Sequence, residues 1–328
     1  MKSPQQTTRT VRVAAVQVES QPGQIASNHA HALPFIETTV AQGAQLVVLP
    51  ELFSCGYIPN RSIWHYGETL TGPTVTWLRE TSRQLGIYLG AGFLEVAGAD
   101  FFNSFALTDP DGKLAGCVRK SSAESYCFKP GARRHVVETD LGKLGVGICA
   151  DNHLTPFARL MQDSGIDMLL MPHGSPMPYR TSKTVSEADI DRTVNGTLAM
   201  TTLHAELLGV PVVFANAVGD LQPMAGLLGK FLTPDLFRLR GFSRIADSDG
   251  TLVGALGEHE GVLVTEVTLD PARKRRRTPP DHDGWLHEGS KITRNVIIPI
   301  DIWVGRRSYA LSRQRRRLAK QIAERTYP

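Results

Sequence analysis

Gln45-Leu46-Val47-Val48-Leu49-Pro50-Glu51 is an unbroken apolar run closed by a proline and a carboxylate. So short a run without alternation is the pattern of a strand buried on both faces. Upstream, Val11-Arg12-Val13-Ala14-Ala15-Val16-Gln17-Val18 predicts a first strand, broken by Pro22 and Gly23. Between the two, Gln24 to Gln42 predicts a helix with Ile25, Ala32, Phe35, Ile36 and Val40 on one face. Strand, helix, buried strand is a βαβ unit, so an α/β layered fold is expected.

The pattern continues outward. Pro73 to Gly86 predicts a second helix, with proline near its start and glycine just past its end. Ile87 to Val96 predicts a strand. Phe101–Thr108 and Lys113–Arg119 flank Asp109-Pro110-Asp111-Gly112, a hairpin turn signal. His135–Thr139 and Lys143–Cys149 form a second hairpin. Ile166–Met171 is a further buried strand, closed by Pro172-His173-Gly174. A long amphipathic stretch, Ser186–Leu208, precedes the strand Pro211–Val218. A third hairpin spans Phe242–Ala246 and Thr251–Leu256, and Val262–Leu269 follows. Crossovers mixed with hairpins predict mixed sheets.

Composition narrows the class. With 328 residues, 41% hydrophobic and 21% charged, the chain suits one large soluble α/β domain with an extension. The boundaries expected are 8–270 for the domain and 271–328 for the extension. No run is long and apolar enough to span a bilayer, and Met1–Thr10 lacks a signal-peptide core. Four cysteines, none in CxxC spacing, make no disulfide framework, so a reduced cytoplasmic setting is expected. The ten histidines lack HExxH or CxxC spacing, which gives a metal no support. No GxGxxG follows the first strand and there is no P-loop, so no cofactor is expected.

The net charge of +4 is concentrated late, in Arg273-Lys274-Arg275-Arg276-Arg277 and in Arg306, Arg307, Arg313, Arg315, Arg316 and Arg317. These could bind nucleic acid or form a solvated or oligomer-interface arm. The absence of a zinc finger, basic zipper or interleaved aromatics, over an acidic body, favours the arm.

The chemistry lies at strand ends. Lys143-Leu144-Gly145-Val146-Gly147-Ile148-Cys149-Ala150-Asp151-Asn152 reads as a short buried strand stopping at a cysteine. The spacing of Leu154, Phe157, Leu160 and Met161 after Pro156 starts a helix just beyond. A thiol at such a turn sits near backbone N–H groups that favour the thiolate; alternatively it is simply packed. Glu51, Lys120 and Cys149 each end an inferred strand, where ligands of α/β sheets bind. Together they supply a base, a cation and a nucleophile, which suits acyl transfer.

Val47-Val48-Leu49-Pro50-Glu51-Leu52-Phe53, Arg119-Lys120 and Gly147-Ile148-Cys149-Ala150-Asp151 resemble, in order and spacing, the three signature segments of the nitrilase superfamily of carbon–nitrogen hydrolases. Glu124, Phe128, Pro130 and Gly131 match as well, as do Ala215–Gly219 and Gly241–Asp247. The similarity runs from Val11 to Leu269. It implies a four-layer αββα sandwich of two mixed sheets, paired into dimers or larger assemblies. It also implies Cys149 as nucleophile, Glu51 as general base, Lys120 as the cation for the tetrahedral intermediate, and the Ala150 N–H as a second oxyanion donor. Glu124 corresponds to an additional glutamate that orients the lysine or the substrate, although the loop Ser121-Ser122-Ala123 before it is shorter than usual.

Nitrilases of this family place tryptophan, glutamate and asparagine after the nucleophile, whereas this chain has Ala150-Asp151-Asn152. Cysteine, any residue, aspartate is closer to amidases and carbamoylases. Hydrolysis of an amide or N-carbamoyl compound is therefore expected ahead of nitrile hydrolysis, with a catalytically silent scaffold third. For the pocket, His173 either reads a polar substrate group or bonds a nearby carbonyl; Tyr57 and His153 are further candidates. Val296–Ile300 reads as strand-like and Tyr309–Ile322 as helical. Trp285, Ile297, Ile298, Ile302 and Trp303 would be stranded in water on a free tail, so the tail is expected to pack on another chain.

Overall fold

A computed structural model describes residues 7–183 and 185–325. The βαβ unit consists of β1 (Arg9–Gln17), α1 (Ile25–Ala41) and β2 (Leu46–Val48), with the two strands parallel. Then come α2 (Pro73–Leu85), β3 (Tyr88–Ala97), β4 (Asp100–Thr108), β5 (Leu114–Arg119), β6 (Val136–Thr139), β7 (Gly142–Val146), α3 (Thr155–Ser164) and β8 (Met168–His173). They are followed by β9 (Pro176–Pro178), α4 (Glu187–Leu208), β10 (Val212–Asn216), β11 (Val218–Asp220), β12 (Phe237–Arg240), β13 (Arg244–Ala246), β14 (Leu252–Ala255) and β15 (Gly261–Leu269). α5 (Ile298–Leu311) and α6 (Arg313–Ala323) close the described chain.

Two six-stranded sheets result, ordered β15-β1-β2-β3-β4-β5 and β14-β13-β10-β8-β7-β6. Side-chain alternation explains why they stack. In β1, Val11, Val13 and Ala15 join Leu46 and Val48 against Leu144, Val146, Met168 and Leu170 of the other sheet. Ala14, Val16 and Val47 point the opposite way, onto Ala32 and Ile36 of α1 and Val75 and Leu78 of α2. Leu169, Met171, Val212 and Phe214 likewise cover Ala158 and Met161 of α3 and Ala205 and Leu208 of α4. Both faces of both sheets are therefore apolar, and the layers run αββα, as expected.

One reading needs correction. Val296–Ile300 is helical: a wide turn at Thr293–Ile297 runs straight into α5. Ile292, Val296, Ile300, Trp303 and Val304 recur at helical spacing, a period that a five-residue window cannot reveal. The tail also folds back on its own chain. Leu318, Ala319 and Ile322 of α6 are buried with Trp64, Phe101 and Tyr309, and Arg315 pairs with Asp100. A small sheet, β11-β12-β9, was not foreseen; its strands are three or four residues long, and Pro176 and Pro178 restrict β9 to an edge.

Much of the basic run has carboxylate partners. Lys274 lies 2.7 Å from Asp167, Arg276 3.3 Å from Asp163, and Arg273 near both Asp247 and Asp270. Among the described residues no helix is long and apolar enough to cross a membrane. Leu318→Ala is expected to cost about 2–4 kcal/mol by leaving a cavity under α6. Chemical denaturation measures it, and an unchanged midpoint would contradict the packing of α6 on this chain.

Candidate active site

Three chain reversals bring the strand-end groups together. The chain leaves β2 through Leu49 and Pro50 to reach Glu51, and turns through Leu52 at φ 49°, a left-handed conformation that a leucine adopts only under constraint. β3 passes so close behind this turn that a Cβ on Gly92 would lie 2.3 Å from the Leu52 nitrogen. Only glycine fits there. Lys120 directly follows β5, its N–H donating to the Asn103 carbonyl at 2.8 Å. Cys149 opens the turn Cys149–His153 after β7, at φ 48°.

Lys120 Nζ donates to Glu51 Oε1 at 2.7 Å and to Glu124 Oε1 at 2.9 Å. Glu51 also accepts from Asn103 Nδ2 at 2.7 Å and from the Gly174 N–H at 2.8 Å. The Tyr57 hydroxyl donates to Glu124 at 2.9 Å. The Cys149 sulfur lies 3.7 Å from Ser175 Oγ; the residue is 8% exposed, while Glu51 and Lys120 are each 1% exposed. A single ammonium thus stands between two carboxylates, out of water.

That arrangement drives the protonation states apart. Burial raises the Glu51 pKa, and the Glu124 charge adds to the rise against the opposing pull of Lys120. Burial, the largest single influence, would also raise Glu124, but the Lys120 charge and the hydrogen bonds from Lys120 and Tyr57 together outweigh it and the net shift is downward. For Lys120, burial works against the charge, yet Glu124 and Glu51 together hold the pKa well above its ordinary value. Burial, followed by the Glu51 charge, raises the Cys149 thiol. At neutral pH the resting thiol is therefore protonated and needs a base.

Asp151 fastens the lysine loop to the cysteine turn. Its carboxylate accepts from the Ser122 N–H at 2.8 Å and from the Ile148 N–H at 3.3 Å. His135 braces the same seam, 2.6 Å from Ser121 Oγ and 2.8 Å from the Val146 carbonyl. These contacts seat the short Ser121-Ser122-Ala123 loop so that Glu124 reaches Lys120.

The expected pocket residues separate. Tyr57 and Glu124 stand at the lysine, and Ala150 is half-buried beside Cys149. His173 differs from expectation: it is fully buried, with Nδ1 on Ser175 and Nε2 on Asn152, and no ring nitrogen is left for a ligand. His153 faces His287, its Nδ1 3.2 Å from the partner Nε2, and burial lowers its pKa to about 3. Gly174 and Ser175 fall in the segment His173-Gly174-Ser175-Pro176, where the family resemblance places substrate contacts, whereas Asn103 is not a residue that the sequence singles out. Asn103 had a signal, being a polar residue inside the apolar strand Phe101-Phe102-Asn103-Ser104-Phe105, where burial demands a partner. Among the described residues no group of three or more His, Cys, Asp or Glu side chains is arranged to hold a metal.

Residues 12–277 match the model of the family described as carbon-nitrogen hydrolase. An N-carbamoylputrescine amidase of Solanum lycopersicum is 28% identical over 281 residues, covering 82% of this chain and 89% of its own. A nitrilase of Pyrococcus abyssi is 36% identical over 177 residues, covering 52% and 67%. Among solved structures, a carbon-nitrogen hydrolase from Helicobacter pylori superposes with TM-score 0.68 at 22% identity, covering 80% of this chain and 90% of that one.

Gly92→Ala is expected to displace the Glu51 turn and slow alkylation of Cys149 by iodoacetamide on the order of tenfold or more, with the fold retained. Mass spectrometry of the Cys149 peptide measures the rate. Alkylation at the unmodified protein's rate would contradict the close approach of β3.

Proposed function

The chain belongs to the carbon–nitrogen hydrolase family, and we propose that it cleaves an amide or N-carbamoyl bond of a small molecule through Cys149. The observation that carries this reading is the buried Glu51–Lys120–Glu124 group beside the sulfur. Two carboxylates sharing one ammonium cannot behave alike. Glu124, its pKa lowered by Lys120, stays an anion, while Glu51, its pKa raised, can exchange a proton.

Glu51 takes the Cys149 proton as the sulfur attacks the carbonyl carbon. The Lys120 ammonium and the Ala150 N–H stabilise the resulting oxyanion. Glu51 returns the proton to the departing nitrogen, which leaves as ammonia or an amine. It then deprotonates a water that attacks the thioester, or the thiocarbamate from a carbamoyl substrate. Collapse releases the acid product and the thiolate, which recovers its proton from Glu51. Tyr57 and the lysine keep Glu124 oriented.

Alanine at position 150, rather than a bulky aromatic, supports a pocket with room for the amide or carbamoyl group. The name of the tomato relative points the same way, whereas that of the archaeal relative favours a second reading, nitrile hydrolysis on the same residues. Ammonia release from aliphatic amides, aromatic amides, N-carbamoyl amines and nitriles separates them. Turnover of amides or carbamoyl compounds, abolished in Cys149→Ala, is expected; turnover of nitriles alone overturns the branch. The raised Glu51 pKa places the acid limb of kcat/KM above the ordinary carboxylate range near ~4.3, because activity is lost as pH falls and the base protonates. A limb below that range contradicts Glu51 as the base.

Residues 8–270 form the catalytic domain in this reading, and 271–328 an extension whose outer face meets a second copy. Ile292, Val296, Ile300, Trp303 and Val304 form one exposed helical stripe, with Ile292 69% and Trp303 66% exposed. A stripe of this kind is an unfilled interface. Sedimentation of Trp303→Asp is expected to show a smaller particle than the unsubstituted chain, and identical sedimentation contradicts the interface. Four free cysteines suit a reducing compartment, the cytoplasm. The carboxylate pairing of the basic run speaks against a nucleic-acid surface.

A further inference from the structure

Ser175, the residue that touches the sulfur, has no part in the scheme above. Its Oγ lies 3.7 Å from Cys149 Sγ and 2.8 Å from His173 Nδ1. Across the ring, His173 Nε2 lies 2.9 Å from Asn152 Nδ2. Asn152, His173, Ser175 and Cys149 thus form one hydrogen-bonded line ending at the reacting atom.

The direction of the protons along this line can be worked out from its far end. Asn152 Nδ2 also faces two carbonyl oxygens, those of Gly147 at 2.7 Å and Cys149 at 3.2 Å. Carbonyl oxygens only accept, so the NH2 must face them; a rotated amide would set its own oxygen against both. The two amide hydrogens go to the two nearer acceptors, the Gly147 carbonyl at 2.7 Å and His173 Nε2 at 2.9 Å; a nitrogen facing that NH2 must carry the lone pair, so the imidazole proton is on Nδ1. That proton points at Ser175 Oγ, and the serine hydrogen is left to point at sulfur. Burial keeps the imidazole neutral, its pKa well below the ordinary value.

The geometry points to Ser175 as a further catalytic residue, its hydroxyl donating a hydrogen bond to the Cys149 thiolate, with Asn152 and His173 as the positioning residues that aim it. All donors in the line run toward the sulfur, and such chains polarise one another. The line neither takes nor supplies a proton. His173 cannot act as a base through the serine, because the nitrogen facing Ser175 already carries hydrogen. The proton leaving sulfur still goes to Glu51, and Ser175 lowers the cost of the charge left behind. The serine, between β8 and β9, is tied to the end of β10: its N–H donates to Asn216 Oδ1 at 3.0 Å, and Asn216 Nδ2 donates to the Gly241 carbonyl at 2.7 Å. The other groups whose charge or hydroxyl faces the sulfur are Glu51, Lys120, Glu124 and Tyr57.

The inference rests on Cys149 being the nucleophile, and its test reads the thiol directly. The rate of Cys149 alkylation by iodoacetamide is followed against pH, by mass spectrometry, in the unsubstituted chain, Ser175→Ala and Ser175→Thr. Ser175→Ala is expected to move the midpoint upward by about one pH unit and to slow alkylation at neutral pH roughly tenfold. Ser175→Thr, which keeps the hydroxyl, is expected to stay near the unsubstituted profile. Superimposable profiles for Ser175→Ala and the unsubstituted chain overturn the inference, as does a Ser175→Thr profile shifted as far as that of alanine. If Ser175→Ala does not fold, His173→Leu removes the donor that aims the hydroxyl; an upward shift supports the inference and an unmoved profile overturns it. Retained ammonia release in Cys149→Ala is a separate result, which sinks the nucleophile assignment itself.

Discussion

One ammonium, Lys120, is buried between two carboxylates, and much of the architecture serves to keep it there. Removing a cation and its partners from water costs several kcal/mol per ion, which is recovered only with close geometry and satisfied hydrogen bonds. Here the bonds are short: 2.7 Å to Glu51 and 2.9 Å to Glu124, with Asn103, Gly174 and Tyr57 occupying further sites on the carboxylates. The arrangement is weak support for stability but strong support for chemistry. It leaves a net negative group whose proton affinity is concentrated on the carboxylate with the raised pKa, next to a thiol that burial keeps protonated.

Holding those groups in register explains features that would otherwise look like defects. Leucine and cysteine adopt left-handed backbone angles at positions 52 and 149, both at turns that aim a reactive segment inward. Gly92 lets one strand run against the turn that carries Glu51. Asp151 draws the lysine loop to the cysteine turn through backbone N–H groups. The sandwich itself supplies rigidity, since both faces of both sheets are packed.

The layered fold was legible because its strands and helices carry clear periods: the alternation of Val11, Val13 and Ala15 and the run at Leu46–Leu49 are written in the chain. The candidate site is legible because Glu51, Lys120 and Cys149 each follow closely on a strand. What stayed hidden depends on tertiary contact. The sequence leaves His173 either to read a polar substrate group or to bond a nearby carbonyl, yet its two nitrogens are taken by Asn152 and Ser175, one of which lies 21 residues away in the chain. Val296–Ile300 resembled a strand because five apolar-rich residues look alike in either period. The return of α6 onto Trp64 and Phe101 joins segments more than two hundred residues apart, a pairing that no local pattern announces.

The most direct measurement is kcat/KM of Lys120→Met, which keeps an unbranched side chain and removes the charged nitrogen, on whichever amide or carbamoyl compound the unsubstituted chain turns over. If the buried ammonium organises the site, the value falls on the order of a thousandfold or more while the fold persists. Turnover within a few-fold of the unsubstituted chain would contradict the account at its centre.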